Sequence, residues 1–173
     1  MSIMVPSDMA RLCIPCGLCC SGVLFAWLPL LPEEEERIRV RGLPVFHNKL
    51  GPALALPCSG RGDGGCRIYA DRPAVCCDYQ CRLLKNCLEG RMEMDRAITI
   101  VAEAKTALAH AECHLAGEDP RRTIWDRAEH HARRHAADPE SYRRANAELS
   151  ANVARLKELC GEYFAAQEKA PEP

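Results

Sequence analysis

The chain has 173 residues and a formal net charge of −1, which gives no global electrostatic case for a nucleic-acid partner. Hydrophobic residues at 47% and charged residues at 27% are globular values, but aromatics at 5% leave few large core anchors. Twelve cysteines are far more than an ordinary domain carries, and ten of them lie from Cys13 to Cys87.

Residues 1–12 read as a loose start, and they lack the basic segment and apolar stretch of a secretory signal. Four cysteines follow as Cys13-x2-Cys16-x2-Cys19-Cys20, with Gly17 supplying a tight turn between them. The apolar run 23–31 contains Pro29 and is too short to span a bilayer. Pro32 and the acids Glu33 to Glu36, then Arg37, Arg39 and Arg41, then Gly42, describe a short helix that complements its own dipole. Its glutamates read as a solvated first turn. Residues 43–57, with Pro44, Gly51, Pro52 and Pro57, are expected to form loops with a short strand at 53–56. Gly60, Gly62, Gly64 and Gly65 lie between Cys58 and Cys66. They lack the Lys-Ser/Thr ending of a phosphate loop and instead let the backbone wrap a metal site.

From about residue 91 the chain turns helical. Ala97, Ile100, Val101, Ala104, Leu108, Ala111 and Leu115 repeat at helical spacing, with Gly117 closing the helix. Asp119-Pro120 and Asp138-Pro139 each read as N-cap plus first helical residue. They predict a second helix to about residue 136 and a third with the stripe Tyr142, Ala145, Leu149, Val153, Leu156, Leu159, Cys160 and Tyr163. The fold class expected is therefore mainly α. A small irregular Cys-rich module with little β, residues 13–87, packs on a helical region of about three helices, residues 91–168.

A thiolate is a strong ligand for zinc and for iron–sulfur iron, and two-residue gaps let successive thiolates turn onto one centre. Adjacent cysteines point in different directions, so Cys19 and Cys20 mark the edge of a site with more than one metal atom, or of two sites. Cys13, Cys16, Cys19, Cys20, Cys58, Cys66, Cys76 and Cys81 make eight donors, enough for two tetrahedral ions or two [4Fe–4S] clusters. Without an export signal the default location is cytoplasmic, where clustered thiols more often bind metal than form disulfides. Zinc and iron stay open: three cysteines at x2 spacing plus a remote one is ferredoxin-style ligation, but Ser21 replaces the usual proline after the run.

The N-terminal run, then Gly65-Cys66-Arg67-Ile68-Tyr69-x2-Arg72-Pro73-x2-Cys76, then Tyr79-x-Cys81, resembles the bacterial CxxCxxCC cysteine-cluster family, which is described as a zinc- or iron-chelating domain. The resemblance covers roughly residues 13–87 and carries the ligand pattern to the same eight cysteines. It departs at Cys77, where members usually have arginine, so Cys77 is either an extra thiol or a competitor of Cys76 for one ligand position. Flagellin lysine N-methylases contain a similar cluster in longer chains, but no methyl-donor signature stands in this sequence.

Arg67 and Arg72 belong to the same segment. Their guanidinium groups are candidates for binding cluster sulfurs or an anionic substrate, with pairing of Arg72 to Asp71 as the structural alternative. His110, Cys113 and His114 share one helical face, as do His131 and His135, and each set reads as a packed or solvated face. Arg121, Arg122, Arg127, Arg133, Arg134, Arg143 and Arg144 are interleaved with acids and read as solvated helix surface. Cys160 behaves as a small hydrophobe. The function expected is a metal-binding protein that chelates zinc or iron, including the iron–sulfur case. The alternatives are a metal-dependent enzyme acting on a protein or small molecule, and a structural-zinc interaction module whose C-terminal helices carry a protein partner. Metal ions are the expected partners, and no nucleic acid or membrane is.

Overall fold

Residues 94–114 bring their apolar side chains onto one stripe and form the longest helix of the computed structural model, which describes residues 7–62, 65–135 and 138–165. We number the helices in chain order: α1, Ser7–Cys16; α2, Glu35–Val40; α3, Ala74–Asp78; α4, Arg82–Leu88; α5, Met94–His114; α6, Ile124–His135; α7, Pro139–Ala145; and α8, Ala147–Leu159. With 58% helix against about 11% strand, the fold is mainly α. Ala97, Ala104, Ala107 and Ala111 alternate with Ile100, Val101 and Leu108 on the buried stripe of α5. The small side chains let neighbours approach its backbone closely. It packs against α8, α1 and α4. The resulting core joins Leu12, Leu18 and Val23 to Leu83, Leu84, Ile100, Leu108, Leu156 and Phe164, so the cysteine-rich stretch and the helices share one apolar interior. The indole Nε1 of Trp125 on α6 adds a hydrogen bond to the Val23 carbonyl at 2.8 Å.

A second, smaller core lies in the front half. Strands β1 (Trp27–Pro29), β2 (Val45–Asn48) and β3 (Gly51–Ala55) form an antiparallel sheet in the order β1-β3-β2. The register puts Leu54 opposite both Leu28 and Val45. Leu28, Leu54 and Leu56 bury against Ile38 of α2 and Leu43. The strand expected at 53–56 thus begins two residues earlier, and the glycine-rich segment folds as a hairpin of β4 (Arg61–Gly62) and β5 (Gly65–Cys66).

Four local expectations are corrected. Residues 7–12 belong to α1 rather than to a loose end, because Leu12 is buried in the main core; residues 1–6 lie outside the described residues. The second helix starts at Ile124, not at Pro120. Arg121 engages the Asp119 carboxylate through its backbone and its side chain, while Thr123 and Asp126 form a reciprocal cap, Asp126 N to Thr123 Oγ1 at 3.1 Å and Thr123 Oγ1 to Asp126 Oδ2 at 2.7 Å. The third helix breaks at Asn146, whose φ of −122° and ψ of 43° leave helical space, and its continuation ends in a π-helical turn, Cys160–Phe164. Arg127 is buried instead of solvated, and its Nη2 donates to the Leu115 carbonyl at 2.9 Å beyond the end of α5.

Leu156 is fully buried where α8 meets α5. Leu156→Ala is expected to destabilise the fold by about 2–5 kcal/mol, because the alanine-rich face of α5 cannot move in to fill the space. Urea unfolding followed by circular dichroism measures it, and a loss under about 1 kcal/mol would show that this interface is not the main core.

Candidate metal centre

The last turn of α1 carries Cys13 and Cys16. Gly17 then turns the chain in the left-handed region, φ +65°, with its amide still bonded to the Cys13 carbonyl at 3.4 Å. Two tight turns follow, Cys20 N to Gly17 O at 3.0 Å and Ser21 N to Leu18 O at 3.4 Å, wrapped around the fully buried Leu18. This brings Cys19 and Cys20 back beside the end of α1. The Cys20 carbonyl accepts the Cys58 amide at 2.8 Å, and Cys58 Sγ accepts the Gly60 amide at 3.4 Å. Cys66 lies on β5, opposite Arg61, and the Arg67 amide donates to the Gly60 carbonyl at 2.8 Å, closing the hairpin. Cys76 lies on α3. Cys81 caps α4, its Sγ accepting the Leu84 amide at 3.5 Å.

These turns converge on one cavity of about 610 Å³. Of the twelve cysteines, Cys13, Cys16, Cys19, Cys20, Cys58, Cys66, Cys76 and Cys81 line it; Cys77, Cys87, Cys113 and Cys160 do not. Gly65 fits here only because it lacks a side chain. At its φ of +107°, a Cβ would stand 2.8 Å from Ile14 Cγ2, so its bare backbone lets β5 lie against the end of α1.

Burial dominates the chemistry of these thiols. It pushes Cys13 and Cys20 up to about 11, Cys16 and Cys76 up to about 12, and Cys19 well above the usual thiol range. The thiols also oppose one another's ionisation. After burial, Cys81 is the main neighbour raising Cys13, Cys16 is that for Cys19, and Cys58 and Cys66 are those for Cys20. Cys58 and Cys81 are raised too, against backbone amides that favour their thiolates. Three basic residues line the same cavity, and their charge favours the thiolates: Arg61 for Cys20, Lys105 for Cys16, and Arg72 for both Cys13 and Cys20.

Arg72 is held in place by Cys77. Its Nε donates to Cys77 Sγ at 3.2 Å while its guanidinium stacks 4.0 Å above the Tyr69 ring. The alternative of an Asp71–Arg72 pair is not found, because Asp71 is engaged by Arg41 and, through its carbonyl, by Arg37. Arg67 turns to the Ser59 carbonyl and does not line the cavity. Among the described residues, no three His, Cys, Asp or Glu side chains are grouped closely enough to hold an ion as they stand. That holds for the histidine faces as well: His131 and His135 stack 4.5 Å apart and His131 Nδ1 meets the Tyr142 hydroxyl, while His114 Nε2 lies 3.5 Å from Glu148.

One positioning residue escaped the sequence reading. Glu34, expected to be solvated, is buried. Its carboxylate accepts the Leu31 amide at 3.1 Å, the Ala74 amide at 2.8 Å and Arg37 Nη2 at 3.1 Å. It thereby ties the turn before α2 to the first residue of the helix that carries Cys76. The available signal was its place three residues after Leu31 at a helix start, where a glutamate reaches back to the chain.

Comparison with protein-family models, with curated proteins and with solved structures finds no match for the chain.

Glu34→Ala leaves the Ala74 amide and Arg37 without their acceptor and is expected to cost about 1–3 kcal/mol in a denaturation experiment. In native alkylation with iodoacetamide, Cys113 is expected to label first, since it is the exposed thiol. Peptide mapping that found any cavity cysteine labelled ahead of it would contradict the burial described here.

Proposed function

We propose that the protein binds a thiophilic transition metal, zinc or iron, through the eight cavity cysteines. The observation that supports this most is the selection: the eight cysteines nominated by their spacing and by the family resemblance all line one cavity, and the other four cysteines do not. The donor set also fits. Buried thiols that oppose one another's ionisation become compatible as thiolates once a divalent cation or cluster stands between them, with proton release on binding. Each thiol would reach the metal by rotating its side chain inward from the wall. The likeness to the CxxCxxCC cysteine-cluster family supports the same reading, as does the placement of Arg61, Arg72 and Lys105, whose charges offset the negative charge of thiolate centres. Cytoplasmic residence completes the proposal, with reduced thiols available for ligation. Among the described residues, no helix is long and apolar enough to cross a membrane.

A second reading has one observation in its favour. A cavity of about 610 Å³ lies in the size range of small-molecule sites, and Arg72 lines its wall, which suits a metal-dependent enzyme. An open coordination position distinguishes it: cyanide added to the metal-loaded protein would then change the visible or EPR spectrum of the centre, whereas centres closed by four cysteines would not respond.

Anaerobic purification followed by elemental analysis, sulfide assay and a visible spectrum tests the main proposal. Iron with acid-labile sulfide and brown absorbance identifies a cluster, and colourless protein with zinc identifies zinc sites. A chain isolated without bound metal that takes up none on reconstitution would refute it. The geometry also resolves the competition between Cys76 and Cys77 into an expected outcome. Cys76→Ser should lower the metal content, and Cys77→Ser should leave it unchanged while loosening Arg72.

A further inference from the structure

We infer that the eight cysteines form two separate four-thiol centres, Cys13, Cys16, Cys19 and Cys81 in one and Cys20, Cys58, Cys66 and Cys76 in the other, divided at the Cys19–Cys20 peptide bond. This rests on the proposed metal binding and deepens it. Spacing alone leaves the partition open, since any of several pairings of the N-terminal run with the downstream cysteines makes four.

The packing makes the assignment. Cys13, Cys16 and Cys81 all belong to the main core, against α5 and α8. Cys58 and Cys76 pack instead on the small core of the sheet and α2. The backbone makes it again. Cys20 is tied to Cys58 by the 2.8 Å bond between its carbonyl and the Cys58 amide. Cys66 is tied to the same loop through the Arg67 to Gly60 bond of the hairpin, and a Cβ on Gly60 would sit 3.4 Å from Cys58 Sγ. Cys19 follows the buried Leu18 of the main core.

The two centres differ in how the chain builds them. The first takes three ligands from one turn-and-helix segment and its fourth from the N-cap of α4, where the sulfur already accepts a backbone amide. The second gathers single ligands from four separate segments. Arg72 lines the cavity that holds both sets, fixed on Cys77 and Tyr69, and would serve as a cation near both.

The test measures the metal content of protein isolated anaerobically, for the wild type, Cys16→Ser, Cys66→Ser and the double variant, with far-UV circular dichroism as the folding control. Each single variant should retain half of the wild-type metal and the double variant none. A folded single variant that loses all its metal would show one fused centre and overturn the partition, leaving the metal-binding proposal standing. A wild type that holds no metal and takes up none overturns both. Should a variant fail to fold, the wild-type holoprotein is stripped stepwise with a chelator and the half-loaded species is trapped with N-ethylmaleimide. Peptide mapping should then place the labels on one complete set of four. Labels drawn from both sets in the half-loaded species would overturn the partition.

Discussion

Eight cysteines line one cavity, Cys81 buried and the others half-buried, and thiolates crowded there oppose one another. Removing an anion from water costs several kcal/mol, and each additional thiolate within the same apolar walls raises that cost. The rest of the structure is arranged around this constraint. Backbone amides point at Cys58 and Cys81, three basic residues and Glu112 line the cavity, and much of the remaining wall is apolar, with Phe25, Leu28, Leu54, Tyr79 and Phe164 among its residues. Such walls do not hydrate an ion. They concentrate the effect of whatever positive charge sits among the thiols, which is the property the proposed metal would use.

The helical half explains why the constraint can be met at all. A cysteine-rich segment poor in large apolar residues cannot build an interior sufficient for itself. Here α5 and α8 supply one: Leu12, Leu18, Leu83 and Leu84 of the front half bury against them, fixing the end of α1 and the start of α4 on either side of the cavity. The small sheet and α2 do the same on a lesser scale for Cys58 and Cys76. Glu34 then links the turn before α2 to α3, so a buried carboxylate far from the sulfurs governs where Cys76 stands.

How much of this was legible depended on whether the signal was local. The stripe of α5 is periodic and local, and it was read with an error of a few residues at its start. The eight cavity cysteines could be nominated because spacing and ligand chemistry are both local properties. The role of Glu34 was not legible, since a glutamate in a helical first turn looks the same whether solvent or a distant amide donates to it; only the approach of Ala74 decides. The false start at Pro120 has the same origin. Asp119 and Thr123 are both competent caps, and Arg121 removes the first from competition. The break at Asn146 was hidden because its flanking residues keep the helical stripe in phase across it.

Cys77 shows what a cysteine can do beside the cavity without lining it. Its Sγ accepts a hydrogen bond from the Nε of Arg72, five residues earlier, whose plane lies on Tyr69. A thiol is a weak acceptor, so the stack on Tyr69 must supply much of the restraint. The consequence is a restrained cation on the cavity wall whose charge favours the thiolates of Cys13 and Cys20. Were two anionic centres to form as inferred above, a positive charge in that place would lower the repulsion between them.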